Sequence, residues 1–580
     1  MSNEISDSEQ MSFSSGFTKA QRSFEQAHVE PATMSRASRM VSVGICIGII
    51  ATVTAAHATQ TNYPGGGQHT PYPASHTSPS VYSAVTVSSE RVSRAIARLD
   101  AVAQDVLKRS SIPGMAVAVV QGEELLFEKG FGVRRIDSAL PVDAQTVFQL
   151  ASLSKPIGAT VIATQVDQEK VTWDTPISKL LPWFRLSDPW VSKHVTIADL
   201  YAHRSGLPDH AGDDLEDLGY GREEILRRLR LIPLKPFRAH YAYTNFGITA
   251  AAQSVAQAAG TDWATLSRDA LYEPLGMHST SSRHADYMAQ ANRASGHILA
   301  KNGTGYQVSD LRQPDAQSPA GGVSSNIRDV ARWMQMVLQN GQYENSTIIA
   351  KEALLPAITP KMITGQPSSP AARAASYGYG FNVGVQPSGR VMLGHSGGFY
   401  LGTGTTFAMI PSLDLGIVVL TNASPIGAAE AVSATFMDMA QFGHVTRDWL
   451  AAYQPVMAPL VAPAGELVGA LHPSSPTPPQ SMQTYAGTYQ NDYFGDIEVR
   501  SQSNTAQSDS LSLVIGPGRD VKQLSHWDGN TFTFIPFNEN APIGSISKVQ
   551  FEDIRKGQAQ RVSIELLNEN NLGTFTRKPR

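Results

Sequence analysis

The chain has 580 residues, 42% hydrophobic and 17% charged, a globular composition too long for one ordinary core, so two folded domains with unstructured connections are expected. Its 46 basic and 50 acidic residues leave a formal charge of -4, which excludes a general attraction to nucleic acid or anionic lipid. The single cysteine, Cys46, excludes an intramolecular disulfide and a cysteine-built zinc cluster.

Taken in order, Arg36 and Arg39 precede an apolar run over 40–56 that ends in Ala56-His57-Ala58, a small-x-small pattern suited to signal peptidase. This predicts residues 1–58 as an extension plus export signal, with translation starting at Met34, and a periplasmic or secreted product. An uncleaved membrane anchor through 40–56 is the alternative. Residues 59–90, rich in Gly, Pro, Ser, Thr and Tyr, read as a flexible tether. A helical period follows through Val92, Ile96, Leu99, Val102 and Val106. Runs at 115–120 and 125–129 around Gln121-Gly122 predict a β-hairpin. After a mainly helical middle, 415–421 reads as a strand and 428–439 as a helix, an α+β pattern for residues 91–450 whose sheet uses both ends of the domain. A Pro-rich linker is expected over 451–480. Five short strand-like runs beyond it, the first at 485–489 and the last at 562–566, predict a small all-β C-terminal barrel or sandwich over 481–580.

Ser152-Leu153-Ser154-Lys155 carries the chemistry. Residues three apart share one helix face, so the Lys155 amine can reach the Ser152 hydroxyl, and a serine needs such a base to become a nucleophile. A lysine serves as that base when a dry cleft lowers its pKa. A helix opening at Ser152 tolerates Pro156 and turns the Ser152 N–H toward a developing oxyanion. Tyr243-Thr244-Asn245 places a second proton carrier two residues from an amide. His395-Ser396-Gly397-Gly398 reads as an edge strand whose glycines admit close backbone approach.

S-x-x-K, Y-x-N and H-x-G in that order resemble the serine β-lactamase-like, penicillin-binding superfamily, over roughly residues 95–445. Ile112-Pro113-Gly114-Met115, His203-Arg204-Ser205-Gly206-Leu207-Pro208, Pro274-Leu275-Gly276-Met277 and Ala320-Gly321-Gly322-Val323 agree with it. The resemblance implies an antiparallel sheet flanked by helices plus an all-helical lobe, with the active site between them. It implies that Ser152 attacks a carbonyl while Lys155 and Tyr243 move the proton. It implies too that Asn245, His395 and Ser396 bind substrate, that the N–H groups of Ser152 and Gly398 form the oxyanion hole, and that no cofactor or metal is needed. The partner expected is a small-molecule or peptide substrate. The third element usually opens with lysine, and His395 in its place, only partly charged near neutral pH, favours a D-amino-acid-specific peptidase, carboxypeptidase or esterase over an efficient β-lactamase. Tyr485-Ala486-Gly487-Thr488-Tyr489, His526-Trp527-Asp528 and Asn530-Thr531-Phe532 resemble the lipocalin-like barrel appended to some members.

Two rival readings remain open at this point. Gly394-His395-Ser396-Gly397-Gly398 also fits G-x-S-x-G, which would make Ser396 the nucleophile on a strand-to-helix elbow. A non-catalytic penicillin- or peptidoglycan-binding sensor is the other. His203 reads first as a loop-shaping residue, and His210, Asp213 and Asp214 cluster without metal-ligand spacing. Trp183, Trp190, Tyr220 and Tyr241 read as core or cleft wall, while the stretch 377–381 is expected to line the cleft by resemblance.

Overall fold

The computed structural model describes residues 78–301, 305–367, 369–504 and 507–579. The expected leader, Cys46 and most of the expected tether lie outside the described residues. Where the tether enters view it is already packed: Ser83 Oγ donates to the Ser388 carbonyl at 2.7 Å, and Arg390 Nη1 donates to the Val85 carbonyl at 2.9 Å.

Helix α1 (Ser89–Ser110) starts at a Ser88 cap that accepts from the Arg91 N–H and buries Val92, Ala95, Leu99, Ala103 and Val106 along one stripe. The hairpin follows as β1 (Gly114–Gln121) and β2 (Glu124–Gly132), turned by Gly122 at φ +58°. Three helices carry the middle of the chain toward the site: α2 (Ser154–Asp167), α3 (Asp213–Asp217) and α4 (Asn245–Ala258). Then come α5 (Ile327–Leu338), β3 (Met362–Gly365), β4 (Ala375–Tyr377), β5 (Asn382–Val385), β6 (Val391–Phe399), β7 (Thr403–Ile410), β8 (Leu415–Thr421) and α6 (Ala428–Phe442).

The eight strands form one antiparallel sheet in the order β2-β1-β8-β7-β6-β5-β4-β3. Every residue of β1 from Gly114 to Val120 is buried, because the sheet is covered on both faces. The alternation of a strand sorts them: Met115, Val117 and Val119 face the core with α1 and α6, while Ala116, Ala118 and Val120 face the core with α2 and α5. In the second core Trp333 of α5 is fully buried, stacks near Phe381 and Phe407, and donates its indole N–H to Thr160 Oγ1 at 3.1 Å.

The segment expected as a linker over 451–480 begins inside a helix, α7 (Trp449–Val461). Asp448 caps it, Leu450 and Met457 are buried, and Trp449 Nε1 donates to Asp438 Oδ2 at 2.7 Å. Packing on α6 holds the helix although Pro455 and Pro459 each remove an internal hydrogen bond.

The C-terminal part is a closed antiparallel barrel of β9 (Gly487–Gln490), β10 (Ile497–Asn504), β11 (Gln507–Ile515), β12 (Asp520–Asp528), β13 (Thr531–Phe534), β14 (Ser547–Arg555), β15 (Gln558–Ile564) and β16 (Thr574–Arg577). Tyr485, Tyr489, Phe532, Phe551 and Phe575 fill it. It seats directly on the part of the chain that precedes it. Gly516, at φ +75°, has no room for a Cβ because the Leu218 carbonyl would lie 2.5 Å away, and the Tyr220 hydroxyl donates to the Phe494 carbonyl at 2.7 Å.

Trp333→Ala is expected to cost about 3–5 kcal/mol of stability, since a fully buried indole leaves a cavity that the sheet above it cannot fill. Urea denaturation of the full-length chain measures it.

Candidate active site

The nucleophile region is a strained turn pinned from three sides. Residues Ala151–Leu153 form a single 3₁₀ turn ahead of α2, with Ala151 at φ +48°. Ser154 Oγ donates to the Ala151 carbonyl at 2.7 Å and accepts the Val323 N–H at 2.9 Å, and the Leu150 N–H meets the Val323 carbonyl at 2.8 Å. Thr405 of β7 donates its hydroxyl to the Leu150 carbonyl at 2.8 Å. Gly397 of β6 lies flat against the turn: a Cβ there would sit 2.4 Å from the Leu150 oxygen and 2.9 Å from the Ser152 nitrogen.

Strand β6 pairs with β7 over 393–399 but with β5 only over 391–394, so it has a strand on both sides at 393–394 and becomes an open edge from His395 onward. The expected edge is therefore local, and it begins where the site begins.

Ser152 is partly exposed, whereas Lys155 is 0% exposed. Helix α2 is buried all round from Ser154 to Gln165, which carries the lysine into the interior. Lys155 Nζ lies 2.9 Å from Ser152 Oγ, 2.8 Å from Asn245 Oδ1 and 2.9 Å from the Ala320 carbonyl oxygen. Two of these three partners can only accept. A neutral amine spends its two N–H bonds on them and turns its lone pair to the serine hydroxyl. Burial pulls the Lys155 amine down to about 7, against the opposing pull of the Asp213 carboxylate. The Tyr243 hydroxyl donates a hydrogen bond to Ser152 Oγ at 2.9 Å, so the same oxygen that can donate to Lys155 accepts from Tyr243.

Asn245 stands at the start of α4 with both ends of its amide engaged: Oδ1 accepts from Lys155, and Nδ2 donates to Asp213 Oδ2 at 2.8 Å. These contacts fix the orientation of the amide and leave its second Nδ2 hydrogen uncommitted among the described hydrogen bonds. Asp213 also meets His210 Nδ1 at 2.8 Å; burial disfavours a charged imidazole there, but the carboxylate outweighs it and raises the His210 pKa. The segment bearing Tyr243 is stitched to the 203–213 loop. The Ala242 N–H bonds the His203 carbonyl at 2.9 Å, the Tyr243 N–H bonds Asp209 Oδ1 at 2.8 Å, the Thr244 N–H bonds His203 Nδ1 at 3.0 Å, and the His210 N–H bonds the Tyr243 carbonyl at 2.8 Å. His203, at φ +54°, shapes this loop.

His395 differs from the expectation of partial charge. It is buried, and burial together with the neighbouring Lys155 amine pushes its pKa down to about 3, so it is neutral at any working pH. Its Nδ1 lies 2.6 Å from the Ser396 carbonyl, which can only accept, so Nδ1 carries the proton and Nε2 accepts the Tyr377 hydroxyl at 2.9 Å. Ser396 meets Thr406 Oγ1 at 3.3 Å and the Glu430 carboxyl, which burial raises to about 7. It lies within a continuous strand and not on a strand-to-helix turn, which removes the nucleophile-elbow reading. Gly398 follows Gly397 along the open edge.

Tyr377, Asp213 and the Ala320 carbonyl complete the site; the sequence pointed to them only through the 377–381 stretch, the 210–214 cluster and the Ala320-Gly321-Gly322-Val323 phrase, without their contacts. Among the described residues no group of three or more His, Cys, Asp or Glu is arranged to hold a metal ion.

A covered antiparallel sheet, a buried helix opening on Ser152 and a lysine three residues on define a β-lactamase-like hydrolase fold and site. The family model described as Beta-lactamase matches residues 99–442, and the chain belongs to that family. A second model, a domain of unknown function (DUF3471), matches residues 471–574. The chain is 30% identical over 331 residues to an Unguisins hydrolase of Aspergillus campestris, covering 55% of this chain and 60% of that protein's length. It is 25% identical to the D-alanyl-D-alanine-carboxypeptidase/endopeptidase AmpH of Escherichia coli K12, covering 59% of this chain and 87% of the relative. The structure of an octameric penicillin-binding protein homologue from Pyrococcus abyssi shares the fold, at a TM-score of 0.53 and 18% identity, covering 81% of this chain and 98% of that one.

Ser152 acylation needs Lys155 neutral, so its rate is expected to rise with pH through a midpoint near 7 and level off above it. Lys155→Ala should slow labelling by a fluorophosphonate about a hundredfold or more and flatten that profile. Rates measured from pH 5 to 9 check both.

Proposed function

We propose that the protein is a serine hydrolase that forms an acyl-enzyme on Ser152 and acts on esters or on amides of D-amino-acid type whose acyl donor has no free carboxylate beside the scissile bond. The arrangement at Lys155 carries the first part. Its lone pair takes the Ser152 proton, Oγ bonds the acyl carbon, and the N–H groups of Ser152 and Gly398 receive the oxyanion. As the bond from the acyl carbon to the leaving group breaks, Tyr243 passes it a proton and regains one from the Lys155 ammonium, so the serine's proton ends on the leaving group; water then releases the acyl group by the same route in reverse.

The state of His395 supports the second part. An imidazole neutral at pH 7, with Nδ1 committed to the Ser396 carbonyl and Nε2 to Tyr377, offers a carboxylate neither charge nor a donor. This separates the chain from enzymes that hold a β-lactam or C-terminal carboxylate through a lysine at this position, and it weighs against the carboxypeptidase reading. The Ser152, Lys155 and Tyr243 contacts, complete and reciprocal, weigh against a sensor without turnover.

p-Nitrophenyl esters and D-amino-acid amides are expected to be turned over at least about tenfold faster than nitrocefin or D-alanyl peptides, and all turnover is expected to vanish in Ser152→Ala. Equal rates on the carboxylate-bearing substrates would sink the assignment. We propose further that the protein is exported through the segment 40–56 and cleaved after Ala58. Sequencing the N-terminus of the secreted protein tests this, and a mature chain that begins before Met40 refutes it.

A further inference from the structure

Helix α3 is five residues long, reads Asp-Asp-Leu-Glu-Asp, and stands between the Ser152 site and the barrel. So short a helix has no stability of its own, and its position is set by what holds its side chains. Asp213 is held on the inner side by Asn245 and His210. Two of the other three carboxyls, Asp214 and Asp217, meet the barrel directly. Asp214 Oδ1 accepts the Tyr493 hydroxyl at 3.0 Å, and Asp217 Oδ2 accepts Asn540 Nδ2 at 2.8 Å and the Asn540 N–H at 3.3 Å. Glu216 Oε2 accepts from Arg312 Nη2 at 2.9 Å, and Arg312 lies 3.8 Å from Glu539, whose Oε1 accepts the Tyr400 N–H at 2.6 Å just beyond β6. Burial raises Asp214 and Asp217 to about 7, which lets these carboxyls sit at the junction without full charge.

The helix is also wedged from behind. Gly212, at φ +97°, leaves no space for a side chain, because a Cβ would lie 2.9 Å from both the Phe246 ring and Ile225. Phe246 follows Asn245 directly. A displacement of α3 is thus passed to Asn245 by contact as well as by hydrogen bond. The connected route runs from Tyr493 through Asp214, Asp213 and Asn245 to Lys155.

We propose that Tyr493 and Asn540 of the barrel are positioning residues for Lys155, holding α3 so that Asp213 fixes the Asn245 amide with its oxygen toward the lysine amine. The barrel therefore sets the rate of Ser152 acylation and not only access to it. This rests on the assignment of Ser152 and Lys155 under the proposed function.

The test is the rate of Ser152 labelling by a small fluorophosphonate across pH in the full-length chain. Tyr493→Phe with Asn540→Ala is expected to slow labelling about tenfold at pH 7 and to move the acid limb to lower pH, as Asp213→Asn does by removing the charge that opposes the lysine's depression. Added to Asp213→Asn, the pair should cost nothing more. An acid limb that stays in place or moves to higher pH, or a loss that multiplies with that of Asp213→Asn, overturns the proposal. Tyr493→Phe alone removes one hydroxyl and carries the same comparison if the double variant does not fold. Labelling that persists in Ser152→Ala would instead overturn the catalytic assignment beneath it.

Discussion

An amine with no exposure to water is the constraint on which this structure turns. A buried ammonium loses several kcal/mol of hydration, and Lys155 is tolerated because three acceptors surround it and because it can shed its proton near pH 7. Two of those acceptors come from segments far along the chain, Asn245 at the head of α4 and Ala320 before α5, while Ser152 stands on the turn just ahead of α2. Placing them requires the loop at 203–213, the sheet edge at Gly397 and the turn at Val323 to close around one point. Much of the hydrolase fold is the means of closing it.

The same burial explains what the sequence could and could not convey. Helical spacing puts Lys155 beside Ser152, and the alternating runs at 115–120 and 415–421 are the strands β1 and β8, because local periodicity is a property of neighbouring residues. The charge of His395 is not local. It depends on Tyr377, Lys155 and the depth of the cleft, and a reading of partial ionisation fails there for that reason. That Asp213 holds one end of the Asn245 amide is equally invisible in the sequence, because the two residues meet only in the fold. Pro455 and Pro459 mark a linker by composition, yet the apolar face of α7 outweighs two missing hydrogen bonds. In the barrel β13 is legible whereas β14 is not, since the inward residues Ser547, Val549 and Phe551 begin with a serine and alternate with partly buried polar groups.

The two halves of the site are built differently. The nucleophile turn is held by the sheet, through Thr405 and the bare Cα of Gly397, and the proton-handling groups by the helical lobe, through His203, Asp209 and Asp213. The barrel touches both, at α3 and at the turn after β6. The surroundings of Ser152 are thus drawn from sheet and helices, with the barrel in contact with both.

The pairing of β1 with β8, Met115 opposite Thr421, has a consequence in time. The first strand made waits for the last strand of its sheet, and contacts so distant along the chain form late. β6 and β7, which clamp the Leu150 to Ser152 turn, also emerge from synthesis near the end of the domain. The turn that carries Ser152 thus gains its clamps only when the sheet closes, at the end of the domain's synthesis.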